Sequence, residues 1–218
     1  MIKAVIFDMD GLLIDSEPLW REAIVRVFNN LSIPITLEQC EETMGMRIDE
    51  VVKYWFNKFK IEGIEKEKVV SDIVQEVIRL IKLKGKIMEG VHGIVDLIAS
   101  QGIPIALASS SFTSIINAVL EKISIKDKIQ LIYSAENESH GKPHPGVYIT
   151  TAKKLGVAPE QCLAFEDSIS GVLSAKAAKM KCVAVPDALS VGDKRFGIAD
   201  LVINSLKDFT VEHLVQLE

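Results

Sequence analysis

The chain has 218 residues, 48% of them hydrophobic, with 30 acidic and 25 basic side chains for a formal charge of -5. That length supports a sizeable core, as one domain or as a core with an inserted subdomain, and an acidic balance without a basic block excludes bulk attraction to nucleic acid. No apolar run approaches the roughly 20 residues of a membrane span, no leader-like segment opens the chain, and Cys40, Cys162 and Cys182 form neither a C-x-x-C pair nor a metal-ligand spacing, so a cytoplasmic protein with reduced, packed thiols and no membrane or nucleic-acid partner is expected.

The first element is the run Ile2 to Phe7, mostly β-branched or aromatic, which predicts a buried strand ending in a tight turn at Gly11. Asp8 and Asp10 follow it directly. Strand side chains repeat every two residues, so these carboxylates leave the backbone in similar directions while Phe7 and Met9 point the other way. Like charges that close stay ionised readily only when a cation lies between them or one of them keeps a proton. Ligands of an open parallel sheet bind beyond the carboxyl ends of its strands, where this pair lies. On spacing alone, capping of the turn or of the next helix explains the two acids equally well.

From about Pro18 to Lys84 the pattern is helical. Leu19, Ala23, Val27 and Leu31 recur once per turn, Val51, Val52, Trp55, Phe56 and Phe59 form a second stripe, and Val69, Ile73, Val77, Leu80 and Ile81 a third. After Gly90 strands and helices alternate. A helix leads to the apolar run Ile103 to Ala108, a helix near Phe112 to Glu121, and a strand at Ile129 to Tyr133. A helix at Pro145 to Leu155, a strand at Cys162 to Phe165, a helix at Ser168 to Ala178 and a strand at Cys182 to Val185 complete the series. The reading is an α/β, Rossmann-like parallel sheet over 1–14 and 86–218, interrupted after its first strand by a small all-helical insertion over 15–85. An insertion beside the acid pair is expected to act as a cap that excludes water and selects substrates. The plainer alternative is a helical domain that only adds stability.

Three later strand ends carry polar residues. Ser109, Ser110 and Ser111 close one strand just before a helix, where hydroxyls and unpaired N-H groups form an anion site and where one serine is expected to be an ordinary N-cap. Gly141-Lys142-Pro143-His144-Pro145 is a rigid loop that holds Lys142 in place, as a phosphate-binding cation if it faces the serines and acids. His140 and His144 flank it without a third ligand type and read as outer or surface groups. Glu166 and Asp167 end another strand and supply hard oxygen donors which, with Asp8, suit Mg²⁺.

Taken in order, D-x-D-G at Asp8 to Gly11, the strand ending at Ser109, the Lys142-Pro143 loop and Glu166-Asp167 resemble the four motifs of the haloacid dehalogenase-like hydrolase superfamily. The insertion is similar to the small helical cap of the β-phosphoglucomutase-like subgroup. The run Phe7 to Trp20, Gly45-Met46-Arg47-Ile48-Asp49, Ser134-Ala135-Glu136 and Lys142-Pro143-His144-Pro145 resemble the bacterial hexitol phosphatase and 2-deoxyglucose-6-phosphate phosphatase branch.

The resemblance implies a Mg²⁺-dependent phosphatase of small phosphorylated sugars or sugar alcohols. Asp8 would be the nucleophile that forms an aspartyl-phosphate, and Asp10 the acid and then the base. Mg²⁺ would lie on Asp8, Asp167 and the Asp10 carbonyl, with Glu166 as a near or outer ligand. Ser109, Ser110, adjacent N-H groups and Lys142 would hold the phosphate oxygens. The cap residues Glu17, Trp20 and Arg47 would meet the substrate. Arg47 can donate to sugar hydroxyls, pair with Glu17 or simply sit on the surface at a helix start. The acid at position 10 disfavours dehalogenase and phosphonatase chemistry, and Trp20 stands where the phosphoglucomutase branch carries a His. A mutase, and phosphatases of pseudouridine 5'-phosphate or glycerol phosphate, are the alternatives, with a non-catalytic phosphometabolite sensor behind them. A small-cap fold implies a monomer by analogy.

Overall fold

In the computed structural model, which describes residues 1–43, 45–187 and 190–218, the opening apolar run forms β1 (Ala4–Phe7), buried at every position. Such a strand has to be covered on both faces. It is followed by β2 (Ile14–Asp15), then the helices α1 (Glu17–Asn30), α2 (Ile48–Phe59) and α3 (Lys66–Lys84), and the return strand β3 (Lys86–Ile87). The alternating part comprises α4 (Val91–Ser100), β4 (Ile105–Ser109), α5 (Thr113–Ile123), β5 (Leu131–Ser134), α6 (Gly146–Leu155), β6 (Cys162–Glu166), α7 (Ile169–Ala177), β7 (Lys181–Ala184), β8 (Leu201–Val202) and α8 (Val211–Gln216).

Six strands form one parallel sheet in the order β5-β4-β1-β6-β7-β8. β1 is central, and Phe7 stands in register with Leu107 on one side and Phe165 on the other, so the carboxyl ends of three strands open on the same edge of the sheet. The chain leaves β1 for β4 on one flank and later returns to β6 on the opposite flank, which opens a crevice at the carboxyl ends between them.

The two faces of the sheet differ in side-chain size. Val5, Phe7, Leu107, Leu163 and Phe165 pack on one face, with Phe7 stacked on Phe165 at 4.8 Å. Ala4, Ile6, Ala106, Ala108, Ala164 and Ala184 form the other, where small residues admit Tyr148 and Ala152 of α6 and Val172 and Ala175 of α7. The helical stripes are buried as their periodicity predicts, apart from Leu31, which is half-buried, and Phe59, which lies exposed at the end of α2 and stacks on Trp55.

The structure departs from the sequence expectation in several places, and the short β8 adds a further strand to the sheet. The passages between sheet and helical layer form an antiparallel pair, Ile14 opposite Ile87 and Asp15 opposite Lys86, too short for an alternating pattern to reveal. The serine run is also placed differently. β4 continues to Ser109, paired with Ser134, and α5 begins only at Thr113 with Phe112 at its N-cap position and no side-chain cap, so none of the three serines caps that helix.

Candidate active site

Asp8 leaves β1 with its backbone N-H still donating to the carbonyl of Phe165 at 3.0 Å, which fixes it against β6. The chain then turns at Gly11, whose φ of +78° is left-handed. A Cβ there would lie 2.0 Å from Oδ2 of Asp167, so glycine is required both by the turn and by the approach of that carboxylate. Asp8 and Asp10 line one cavity together with Lys142, Asp167, Ser110 and Ser111 from the sheet side. Glu17, Trp20, Arg21, Ile24, Cys40 and Thr43 are among its helical wall.

The floor is an ionic cluster. The Lys142 ammonium, its side chain 5% exposed, donates to Asp8 Oδ1, and to Glu166 Oε1 at 2.6 Å. Glu166 is fully buried, and its Oε1 also accepts from the Tyr148 hydroxyl at 2.6 Å. Gly171 lets the helix back onto this carboxylate, since a Cβ there would meet it at 2.0 Å. Burial would lower the lysine, but Asp8 and Glu166 outweigh it and hold the ammonium above its ordinary range.

Carboxylate oxygens of Asp8, Glu166 and Asp167 lie within 4.8 Å of one another. Burial pushes Asp8 up to about 7 against the pull of Lys142, with Glu166 and Asp10 adding to the rise. Burial, then Asp8 and Glu166, push Asp167 well above the carboxylate range. Three acids faced by one ammonium leave negative charge uncompensated, and their donors are all hard oxygens, so the residues present fit a Mg²⁺ ion.

Asp10 is held differently, by hydrogen bonds alone. Its Oδ1 accepts from Ser16 Oγ at 2.7 Å and Trp20 Nε1 at 3.1 Å, and its Oδ2 from Ser111 Oγ at 2.7 Å and Ser109 Oγ at 3.3 Å. Ser109 is completely buried, with its oxygen also accepting the Ser111 N-H at 3.0 Å, so the serines that reach the cavity wall are Ser110 and Ser111.

On the helical side, burial first and then Asp10 push the Glu17 carboxyl up to about 7, with Arg21 pulling it down. Arg47 lines the cavity, and within the protein its guanidinium pairs with Asp49 rather than with Glu17. Its guanidinium forks onto Asp49 at 2.6 and 2.7 Å, and Nη1 donates to the carbonyls of Glu138 at 3.0 Å and Ala135 at 3.2 Å. With a side chain 13% exposed it is neither a surface arginine nor a partner of Glu17. His140 and His144 are both exposed, and neither lines the cavity.

Sequence reasoning missed Ser16, Arg21 and Tyr148. Arg21 stands four residues after Glu17 on α1, a spacing that places the two on one helix face. Its Nε lies 4.0 Å from Glu17 Oε2 and is buried with no acceptor among the described residues. Tyr148, on α6, carries no local signal, because its partner Glu166 lies at the end of β6.

Residues 5–185 match the family described as "Haloacid dehalogenase-like hydrolase". The chain is a member of the haloacid dehalogenase-like hydrolase family. It is 39% identical over 215 residues to hexitol phosphatase B of Escherichia coli (strain K12), covering 98% of this chain and 97% of that one. It is 31% identical over 187 residues to a phosphorylated carbohydrates phosphatase of Thermotoga maritima, covering 81% of this chain and 82% of that one. The β-phosphoglucomutase structure from Clostridium difficile superposes with a TM-score of 0.85 at 26% identity, over 100% of this chain and 97% of that one. Within this hydrolase family the chain is an enzyme of the phosphoric monoester hydrolase class. No helix among the described residues is long and apolar enough to cross a membrane.

Proposed function

We propose that the protein is a Mg²⁺-dependent phosphatase of small phosphorylated sugars or sugar alcohols, with residues 1–14 and 86–218 as catalytic core and 15–85 as cap. The observation that carries this reading is the convergence of Asp8, Asp10, Lys142 and Asp167 on one cavity whose opposite wall is helical and mixed in polarity.

Asp8 attacks the phosphorus in line. A bond forms between its carboxylate oxygen and phosphorus as the bond to the sugar oxygen breaks, and Asp10 gives that oxygen its proton. Water then attacks the aspartyl-phosphate, Asp10 takes the water proton, and inorganic phosphate leaves with Asp8 restored. Lys142 keeps Asp8 oriented and offers positive charge where the phosphate gathers it, while Ser110, Ser111 and nearby N-H groups receive phosphate oxygens. Asp8, Asp167 and the Asp10 carbonyl, with Glu166 nearby, would hold Mg²⁺, which when bound would supply charge that offsets repulsion between carboxylate and phosphate.

The wall favours a polyol. Glu17 and the unpartnered Nε of Arg21 offer an acceptor and a donor to hydroxyls, and Trp20, Ile24 and Val51 offer apolar surface to the carbon chain. The names of the E. coli and T. maritima relatives support the same substrate class. The three buried free cysteines are in keeping with a cytoplasmic setting.

The test is phosphate release from a panel of hexose, hexitol, pseudouridine and glycerol phosphates, with Mg²⁺ and with chelator. Release from hexose or hexitol phosphates that chelator abolishes is expected. A preference for pseudouridine or glycerol phosphate moves the substrate, and release from none of them overturns the reading.

A further inference from the structure

Four donors converge on the Asp10 carboxyl, and they are not equivalent. Three are hydroxyls, which can turn on their own axis and either donate or accept. Ser111 lines the cavity, so an arriving phosphate competes with Asp10 for its hydroxyl. The fourth is the indole N-H of Trp20, which only donates. Its ring is rigid, half-buried and packed against the apolar core. It therefore stays on Oδ1 while the hydroxyls rearrange around a ligand.

The local sequence is arranged for this contact. Ser16 sits at the N-cap position of α1, yet its hydroxyl makes no cap and goes to Asp10 instead. Trp20 follows four residues later, one helical turn on, so both donors meet the same carboxylate oxygen from one face of the helix. With its N-H committed there, Trp20 has only its ring left to offer a substrate.

We infer that Trp20 is a positioning residue for the acid: its N-H fixes the Asp10 carboxyl in the orientation from which the proton reaches the departing oxygen. The inference rests on the role given to Asp10 above. As the bond between phosphorus and the leaving oxygen breaks, that oxygen gains the electron pair and takes the Asp10 proton. A carboxyl free to turn presents the proton in that direction only part of the time.

Two complementary variants separate this role from packing. Trp20→Phe keeps an aromatic ring and removes the donor. Trp20→His removes the outer ring of the indole but keeps an N-H, since Nε2 of an imidazole occupies the place of the indole Nε1. The readout is kcat/KM on substituted phenyl phosphates of similar size that differ in leaving ability, with Asp10→Ala as reference. This parameter ends at departure of the leaving group, so hydrolysis of the phosphoenzyme does not enter it.

For Trp20→Phe we expect a fall of about 10- to 100-fold on phenyl phosphate and less than about threefold on 4-nitrophenyl phosphate, whose leaving group departs without a proton. Trp20→His should keep the leaving-group dependence of the wild type. A uniform fall of Trp20→Phe across the series, or no fall, overturns the inference. If Trp20→Phe does not fold, a Trp20→His variant as sensitive to leaving ability as Asp10→Ala overturns it too. An Asp10→Ala variant no more sensitive than wild type removes the acid assignment itself, which a failure at Trp20 alone does not.

Discussion

At the strand ends Asp8 and Glu166 are tied by one ammonium and Asp10 by four neutral donors, whereas on the helical wall Glu17 and Arg21 are left loosely met. Lys142 joins Asp8 to Glu166, and Glu166 also takes Tyr148, all of them buried. Across the cavity, Arg21 approaches Glu17 only to 4.0 Å and keeps a buried N-H with no acceptor among the described residues. The floor is pre-organised, with little freedom left to lose when a phosphate arrives. The wall retains donors and acceptors for a ligand to satisfy. Substitutions in the floor should therefore reduce turnover alike for all substrates, and substitutions in the wall should reorder them.

The largest effect is expected at the nucleophile. Asp8→Asn removes the attacking oxygen and should lower kcat by at least about a thousandfold on every substrate while phosphate-ester binding, read by calorimetry, persists. Residual turnover near the wild-type rate on any one substrate would break the comparison at its root. Lys142→Met is next. It removes a donor to the developing charge, for a loss of about 100- to 1,000-fold in kcat. It also leaves Asp8 and Glu166 facing each other unpaired, so the unfolding midpoint in denaturant should show a loss of about 3 to 5 kcal/mol. The substrate order should not change.

Arg47 sharpens the comparison, because it lies in the wall yet is tied like the floor. Its guanidinium bridges Asp49 to two carbonyls of the segment that leads on to Lys142. Arg47→Lys cannot reproduce a fork and two further contacts with one ammonium. A fall of about tenfold in kcat/KM, equal across the substrate panel, is expected. A changed substrate order would return Arg47 to the role of a substrate-binding residue.

The contrast also explains what the sequence could show. Asp8, Ser109 and Glu166 stand at or just past the ends of apolar runs that become neighbouring parallel strands, so strand patterning places each at the carboxyl end of the sheet. Lys142 and Asp167 are carried by the loops beside them. Five strands of the α/β sheet and the three helical stripes follow from the same periodicities, whereas the two-residue β8 is too short to carry one. The wall depends instead on how helices lie over the sheet. The Arg47 partners at 135 and 138 are main-chain oxygens, which carry no residue identity to read. The contact from Trp20 to Asp10 needs the angle between α1 and the turn at Gly11, which the spacing of Ser16 and Trp20 on one helix face does not fix by itself. The serine run misleads at one point, since pairing of Ser109 with Ser134 extends the strand past where hydrophobicity ends and moves the helix start beyond the run.

Glu17 gives the smallest effect and the most selective one. Burial, then Asp10, hold its carboxyl at about 7 in the folded protein against an ordinary 4.5. Below pH 4.5 the group is protonated in both folded and unfolded chains and adds no pH dependence. Between 4.5 and about 7 the unfolded chain releases a proton that the folded one retains, so stability falls as pH rises, and above 7 the loss stays constant. Asp8 and Asp167 slope in the same direction, so the informative quantity is a difference between proteins. Glu17→Gln should show a smaller drop in Tm than wild type when both are melted at about pH 5 and about pH 7.5 in the same buffer. It should also change kcat/KM by a few fold, to different extents for hexitol and glycerol phosphates, because the amide replaces an acceptor that can ionise with one that cannot. An equal shift for all substrates would place Glu17 with the floor, and the division between a fixed floor and an adaptable wall would then rest on Arg21 alone.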